Sequence, residues 1–184
     1  MPPDPSSLSI VLYPDPVLRR CADTIPAVDD GVRAVAERML ELMDQAEGIG
    51  LAAPQVALPW RLFVCHVPEN EERTASETPP TATHAPLVCI NPVLSDPSEH
   101  LEPYDEGCLS LPDITGTVRR PAEITLSAIG LDAEPFTLRA GGLLARCIQH
   151  EHDHLDGVLI IDRMQQLARI KNRRAIRELE KHTG

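Results

Sequence analysis

The sequence predicts an α+β fold: short, mainly antiparallel strands around a central helix, with one helix N-terminal to them and one C-terminal. Three observations carry this. Apolar residues recur at helical spacing near residues 32–46, 143–155 and 162–182. Between the first two of these stretches lie several short β-prone runs, separated by Gly, Pro and Asn. The order is therefore helix, many strands, helix, helix, and not an alternation of strand with helix.

Taken in order, Val32, Val35, Ala36, Met39, Met43 and Ala46 form the buried face of the first helix. Asp29 or Asp30 can cap its start and Gly48 can end it. Trp60–Val67 is apolar and β-prone. Residues 68–86 are rich in Glu, Thr and Pro and read as a surface loop or insertion, with a lid as the sharper alternative. Leu87–Ile90, Thr117–Val118, Ile124–Ile129 and Pro135–Leu138 read as further strands. Gly141-Gly142 opens the central helix, Leu143, Leu144, Cys147 and Ile148 are its apolar members, and Gly157 ends it. The last helix is expected over 162–182, packing through Met164, Leu167, Ile170 and Ile176, with a basic opposite face.

Length and composition bound the rest. The 184 residues amount to one domain, 1–184, and aromatics at 3% require an aliphatic core. The start, Met1-Pro2-Pro3-Asp4-Pro5, has neither a basic nor an apolar leader region. No apolar run approaches the roughly 20 residues of a membrane span. The five cysteines are odd in number and form no Cys-x-x-Cys, which points to a reducing cytoplasm. A net charge of −11 argues against a DNA or general nucleic-acid binder. The charge is uneven: Ile161–Gly184 carries seven Lys/Arg against three acids. A basic tail on an acidic body marks that tail for a partner.

The stretch Gln149-His150-Glu151-His152-Asp153-His154 holds His-Glu-x-x-His. Residues four apart on a helix share a face. His150 and His154 can therefore grip one divalent metal, with Glu151 beside them as general base. The central helix is thus expected to be metal-binding, and the chemistry is hydrolysis of a carbonyl.

Such a site needs a third protein ligand. The longer pattern with a distal His fails, because Ile160 stands where that His is required. Cys147 shares the face, but lies about 10 Å along the axis from His154, so it is a wall residue. Cys65 and Cys89 sit in apolar strand-like runs and read as core. Cys21 has no context. Cys108 lies in a polar, Gly-containing turn, Tyr104–Ser110. Alone it could equally be structural; beside His-Glu-x-x-His it is the leading candidate.

Three ordered motifs resemble those of the peptide deformylases. They are Gly48-Ile49-Gly50-Leu51-Ala52-Ala53-Pro54-Gln55, Glu106-Gly107-Cys108-Leu109-Ser110, and His150–His154 with Asp153 before the second His. The resemblance implies a metal held by Cys108, His150 and His154, typically Fe(II) in the cell, with zinc, nickel or cobalt able to replace it. It implies Glu151 as base and then acid. The substrate it implies is the N-formyl-methionyl end of a nascent protein. The amide of Gln55 and the backbone N–H of Leu109 look like the oxyanion donors. Gly50 offers main-chain hydrogen bonds to the substrate, and Ile49, Leu143 and Cys147 look like walls of a methionine pocket. Glu106 and Gly107 join the substrate-binding loop, with Glu106 ordering it by pairing with Arg119 or Arg120. Arg146 either covers part of the pocket or reaches solvent. Asp153 is a candidate to orient a ligand, and His152 faces away. Relatives use a basic C-terminal helix on the ribosome. A metal amidase for another N-acyl peptide, a zinc endopeptidase and an inactive ribosome- or nascent-chain-binding module are the competing readings.

Overall fold

The computed structural model describes residues 4–181, so the Met1–Pro3 leader reading and His182 at the expected helix end lie outside it. The helices are α1 (Asp30–Gln45), α2 (Gly142–Leu155), the short α3 (Ile160–Arg163) and α4 (Gln166–Lys181). The strands are β1 (Gly50–Ala52), β2 (Leu62–Cys65), β3 (Leu87–Ser95), β4 (Leu101–Cys108), β5 (Leu111–Pro121), β6 (Glu123–Ile129) and β7 (Pro135–Gly141). Five strands form an antiparallel sheet in the order β1-β2-β3-β6-β7, and β4 pairs with β5 in a separate ribbon. The fold is α+β.

Strand alternation sorts the core into layers. Leu62 and Val64 face α1, with Val35, Met39 and Met43, whereas Phe63 and Cys65 face α2, with Leu144, Ala145 and Ile148. The sheet is therefore buried on both faces at β2, between two helices. A third cluster, with Leu111, Ile114 and Val118 of β5 and Ile160, Ile161 and Met164, closes the ribbon against α3 and α4. α2 is largely buried: Arg146, Gln149, His150, Glu151, Asp153 and His154 are all buried on it.

Local chemistry sets the ends of these elements. Asp29 caps α1 by accepting from Val32 N–H at 2.9 Å. The left-handed residue that ends α1 is Glu47, at φ 54°, and Gly48 donates back to the Met43 carbonyl at 2.9 Å. A Cβ at Gly48 would lie 2.8 Å from the end of the Leu109 side chain, which would have to turn aside. Gly157 (φ +71°) ends α2, and a Cβ on it would lie 2.6 Å from the Arg19 carbonyl oxygen. Pro92 cannot donate to a ladder, and it sits where the β3–β6 register shifts. There Asn91 (φ 50°) bonds both the N–H and the carbonyl of Ile25 at 2.8 Å.

Three expectations need correction. Tyr104–Cys108 is not a turn; β4 runs through it, and the turn is Leu109–Ser110 alone. Thr117–Val118 is part of an 11-residue strand. In α4, Leu167 and Ile170 are 75% and 60% exposed, while Ala168, Ala175, Ile176 and Leu179 pack inward. A break at Met164–Gln165 resets the helix phase there.

Candidate metal centre and active-site cleft

A cleft of about 350 Å³ opens between β1, the β4–β5 turn and α2. Each element contributes to its wall: Ile49 and Gly50 at β1, Gln55 from the 3-10 turn after it, Glu106, Gly107, Cys108 and Leu109 at the end of β4, and Leu143, Cys147, His150 and Glu151 from α2. His154 lies just beneath, its Nε2 3.2 Å from His150 Nε2. The residues nominated from three distant motifs thus meet at one place. Glu47, Tyr104, Asp105 and Arg146 also line the cleft. Tyr104 and Asp105 went unassigned, although they directly precede the second motif.

Cys108 Sγ lies 3.4 Å from His154 Nε2, and the ligand atoms of Cys108, His150 and His154 all fall within 4.8 Å of one another. Among the described residues this is the one group of His, Cys and carboxylate atoms close enough to share an ion. A tetrahedral ion with Zn–N of about 2.0–2.1 Å and Zn–S of about 2.3 Å sets its ligand atoms roughly 3.3–3.6 Å apart, close to the His150–His154 and Cys108–His154 spacings. The Nε2 atoms of His150 and His154 face each other at 3.2 Å, with the Cys108 sulfur beside them. The residues present fit a divalent ion.

Behind His150 lies a buried ionic network. Arg120 grips Glu106 with Nε at 2.6 Å and Nη2 at 2.9 Å, and Glu106 Oε2 meets His150 Nδ1 at 3.1 Å. Arg146 adds a bond to Glu106 Oε1 at 2.8 Å and stacks its guanidinium 5.3 Å from the Tyr104 ring centre. Arg146 therefore neither reaches solvent nor lies idle. Alternation along β5 decides between the two candidate partners of Glu106: Arg120 points inward and Arg119 outward. Burial pushes the Glu106 carboxyl up, but the bonds from His150 and Arg120 outweigh it and hold the group well below its ordinary range. The Glu106 carboxylate is thus engaged by Arg120, Arg146 and His150.

Glu151 has the opposite environment. Burial is the main cause, and its pKa is pushed up to about 8. Among the described residues its Oε2 has no hydrogen-bond partner. β1 approaches so closely that a Cβ at Gly50 would lie 2.7 Å from the Glu151 carboxyl carbon. Gln55 is 1% exposed, and its Oε1 accepts from Ala52 N–H at 2.9 Å. That bond fixes the amide so that Nε2 points at Ser110 Oγ (3.2 Å) and Cys108 Sγ (3.6 Å). Ser110 is a site residue that sequence reasoning left without a role, although it closes the second motif.

The remaining candidates have these surroundings. Cys65 and Cys89 are core residues and Cys21 is exposed. Cys147 donates to the Ile49 carbonyl at 3.3 Å. Ile160 is buried among the apolar residues of α3. His152 meets Arg61 and Asp156. Asp153 binds Arg120 at 2.8 Å and Arg163 at 2.7 Å.

The family model described as polypeptide deformylase matches residues 7–170. The chain belongs to the polypeptide deformylase family. The peptide deformylase of Agrobacterium fabrum is 45% identical over 161 residues, covering 87% of this chain and 88% of that one. The peptide deformylase of Azotobacter vinelandii is 42% identical over 177 residues, covering 96% and 98%. Among solved structures, the deformylase of Ehrlichia chaffeensis superposes with a TM-score of 0.86 at 34% identity, covering 96% of each chain. The deformylase of Plasmodium falciparum in complex with an inhibitor gives 0.80 at 34% identity, covering 94% and 99%. As a member of this enzyme family the chain is a hydrolase, and the competing readings as another amidase, an endopeptidase or an inactive binding module find no support among these relatives. Among the described residues no helix is long and apolar enough to cross a membrane.

Proposed function

We propose that this enzyme hydrolyses the N-formyl group from formyl-methionyl nascent peptides, releasing formate and a free amino terminus, with the whole chain 1–184 as one catalytic domain. One observation carries the reading: a Cys/His/His ligand set, a buried protonatable Glu and an anchored amide donor converge on one cleft. A divalent ion held by Cys108, His150 and His154 would supply Lewis acidity and bring the pKa of water down to about 7. Glu151 takes the proton of the attacking water and returns it to the leaving amine. Gln55 Nε2 and the Leu109 N–H stabilise the charge that builds on the formyl oxygen. The methionine side chain packs on Ile49, Leu143 and Cys147, and the backbones of Gly50 and Gly107 bind the extended peptide. Glu106 positions His150 instead of touching substrate. Fe(II) is the ion we infer in the cell; zinc, nickel and cobalt suit the same donors. Five free cysteines favour a cytoplasmic setting. The basic face of α4 is proposed to dock on the ribosome.

The test is formate release from formyl-Met-Ala-Ser by anaerobic protein, and by metal-stripped protein with Fe(II) or Zn(II) restored. Activity is expected to vanish on stripping and to return with either ion. Glu151→Ala should lower kcat by about 10²–10⁴-fold. A fully metallated wild type that releases no formate overturns the proposal. Equal turnover of acetyl-Met-Ala-Ser would replace it with a broader amidase.

A further inference from the structure

We infer that Arg163 is a positioning residue for His150, acting from the outer end of a buried row of ion pairs; the inference deepens the metal reading above and rests on it. The row runs Arg163, Asp153, Arg120, Glu106, His150. Arg163 holds Asp153 with a two-pronged grip, Nη2 to Oδ1 at 2.7 Å and Nε to Oδ2 at 3.2 Å. Asp153 Oδ2 takes Arg120 Nη1 at 2.8 Å. Arg120 then holds Glu106 through Nε at 2.6 Å and Nη2 at 2.9 Å, and Glu106 Oε2 faces His150 Nδ1 at 3.1 Å. Two of the joints are guanidinium–carboxylate forks, which fix orientation as well as distance.

The oxygen that matters is Glu106 Oε2. Arg146 holds the other oxygen, Oε1. Oε2 takes Arg120 Nη2 and His150 Nδ1, so Arg120 is the cation that grips both oxygens. Arg120 is in turn anchored at its far end by Asp153, and Asp153 has Arg163 as its other cation. Groups that hydrogen-bond the far nitrogen of a histidine ligand set its tautomer, its ring orientation and its basicity. The row carries that control outward to α3, where the Arg163 side chain is 51% exposed while those of Arg120 and Glu106 are 6% and 5% exposed. Tethering α3 to the body does not depend on this row, because Arg19 pairs with Asp162 on the same helix. Without Arg163, Asp153 is free to turn, Arg120 is held at one end only, and the Oε2–His150 contact loosens.

The test uses the full chain loaded with Co(II), whose absorption reports the ligand field and the thiolate bond. The readouts are that spectrum, the rate of Co(II) release to excess chelator, and Tm. Arg163→Gln should release Co(II) about 10-fold faster, at the low end of what losing a group behind a metal ligand costs, and should shift the Co(II) bands. Arg163→Lys keeps the charge but not the fork and should recover part of the loss. Arg19→Gln, which breaks the neighbouring ion pair of α3, should lower Tm while leaving spectrum and release at wild-type values. If Arg163→Gln changes Tm alone, or if Arg19→Gln speeds release equally, Arg163 is structural and the inference fails. If wild type takes up no Co(II) with a thiolate band, the metal reading fails first and this inference with it.

Discussion

Glu106 and Glu151 are two buried carboxylates near His150, and their surroundings push them in opposite directions. Glu106 is held ionised by His150 and Arg120 against the cost of burial, whereas burial outweighs the pull of His150 and Arg120 on Glu151 and raises its pKa to about 8. The signs of their pH dependence therefore differ. A depressed carboxyl contributes stability above its unfolded value of 4.5 and loses it as pH falls through the folded value. Glu106→Gln should cost about 3–5 kcal/mol at pH 7 by leaving Arg120 and Arg146 partly uncompensated. It should also flatten the decline in stability below about pH 4.5; urea unfolding of metal-stripped protein from pH 7 to 3 measures both. A raised carboxyl does the reverse, destabilising the fold progressively between 4.5 and about 8. Glu151→Gln should thus make the metal-stripped protein more stable than wild type, by an amount that grows with pH over that interval, while abolishing turnover. A difference independent of pH would contradict the assignment.

At the scale of elements, the proposed catalysis depends on how closely β1 approaches α2. The approach is set by Gly50, where even a methyl would collide with the Glu151 carboxyl group. Gly50→Ala should displace that carboxylate and lower kcat roughly 10²-fold, while overpacking costs about 1–3 kcal/mol. Metal content, measured alongside activity, should stay at wild type; loss of the metal would mean that the ligands and not the base had moved. The elements differ in how plainly the chain announces them. α1 and α2 were legible because their buried faces recur at helical spacing and their ends carry Asp29 and Gly157. β1 has three residues, too few for any period to show. β4 was missed because Leu101–Asp105 is exposed on both faces, so no alternation of polar and apolar residues marks it. In α4 the phase was misread because Leu167 and Ile170 look like core residues, whereas Gly116 on β5 seats Met164 and Ala168 instead. The site was more legible than the fold, since its residue types are dictated by chemistry and lie in short motifs. What the motifs could not show is the grip on Asp153, because Arg163 belongs to no motif and reaches its partner only once α3 folds back.

Over the whole molecule, charge is segregated: a chain of net −11 ends in a helix whose exposed side is basic. Arg169, Arg173 and Arg177 stand four residues apart on that helix, along a groove they share with Ile170 and Ile176. Each lies on the exposed side, and among the described residues none from α4 lines the catalytic cleft. Docking and chemistry are therefore separable. If the stripe binds ribosomal phosphate, each arginine releases counterions, and affinity falls with salt in proportion to the number of contacts. Replacing all three by Gln should reduce the slope of log affinity against log salt by roughly 2–3. The measurement is co-sedimentation with ribosomes over a range of salt, beside formate release from formyl-Met-Ala-Ser, which should not change. The three substitutions leave Ala168, Ala175, Ile176 and Leu179 packed against the body, so α4 should stay folded and its circular dichroism unaltered. An unchanged salt slope in a folded variant would mean that the stripe only solvates the helix, and that the enzyme meets its nascent substrates by diffusion.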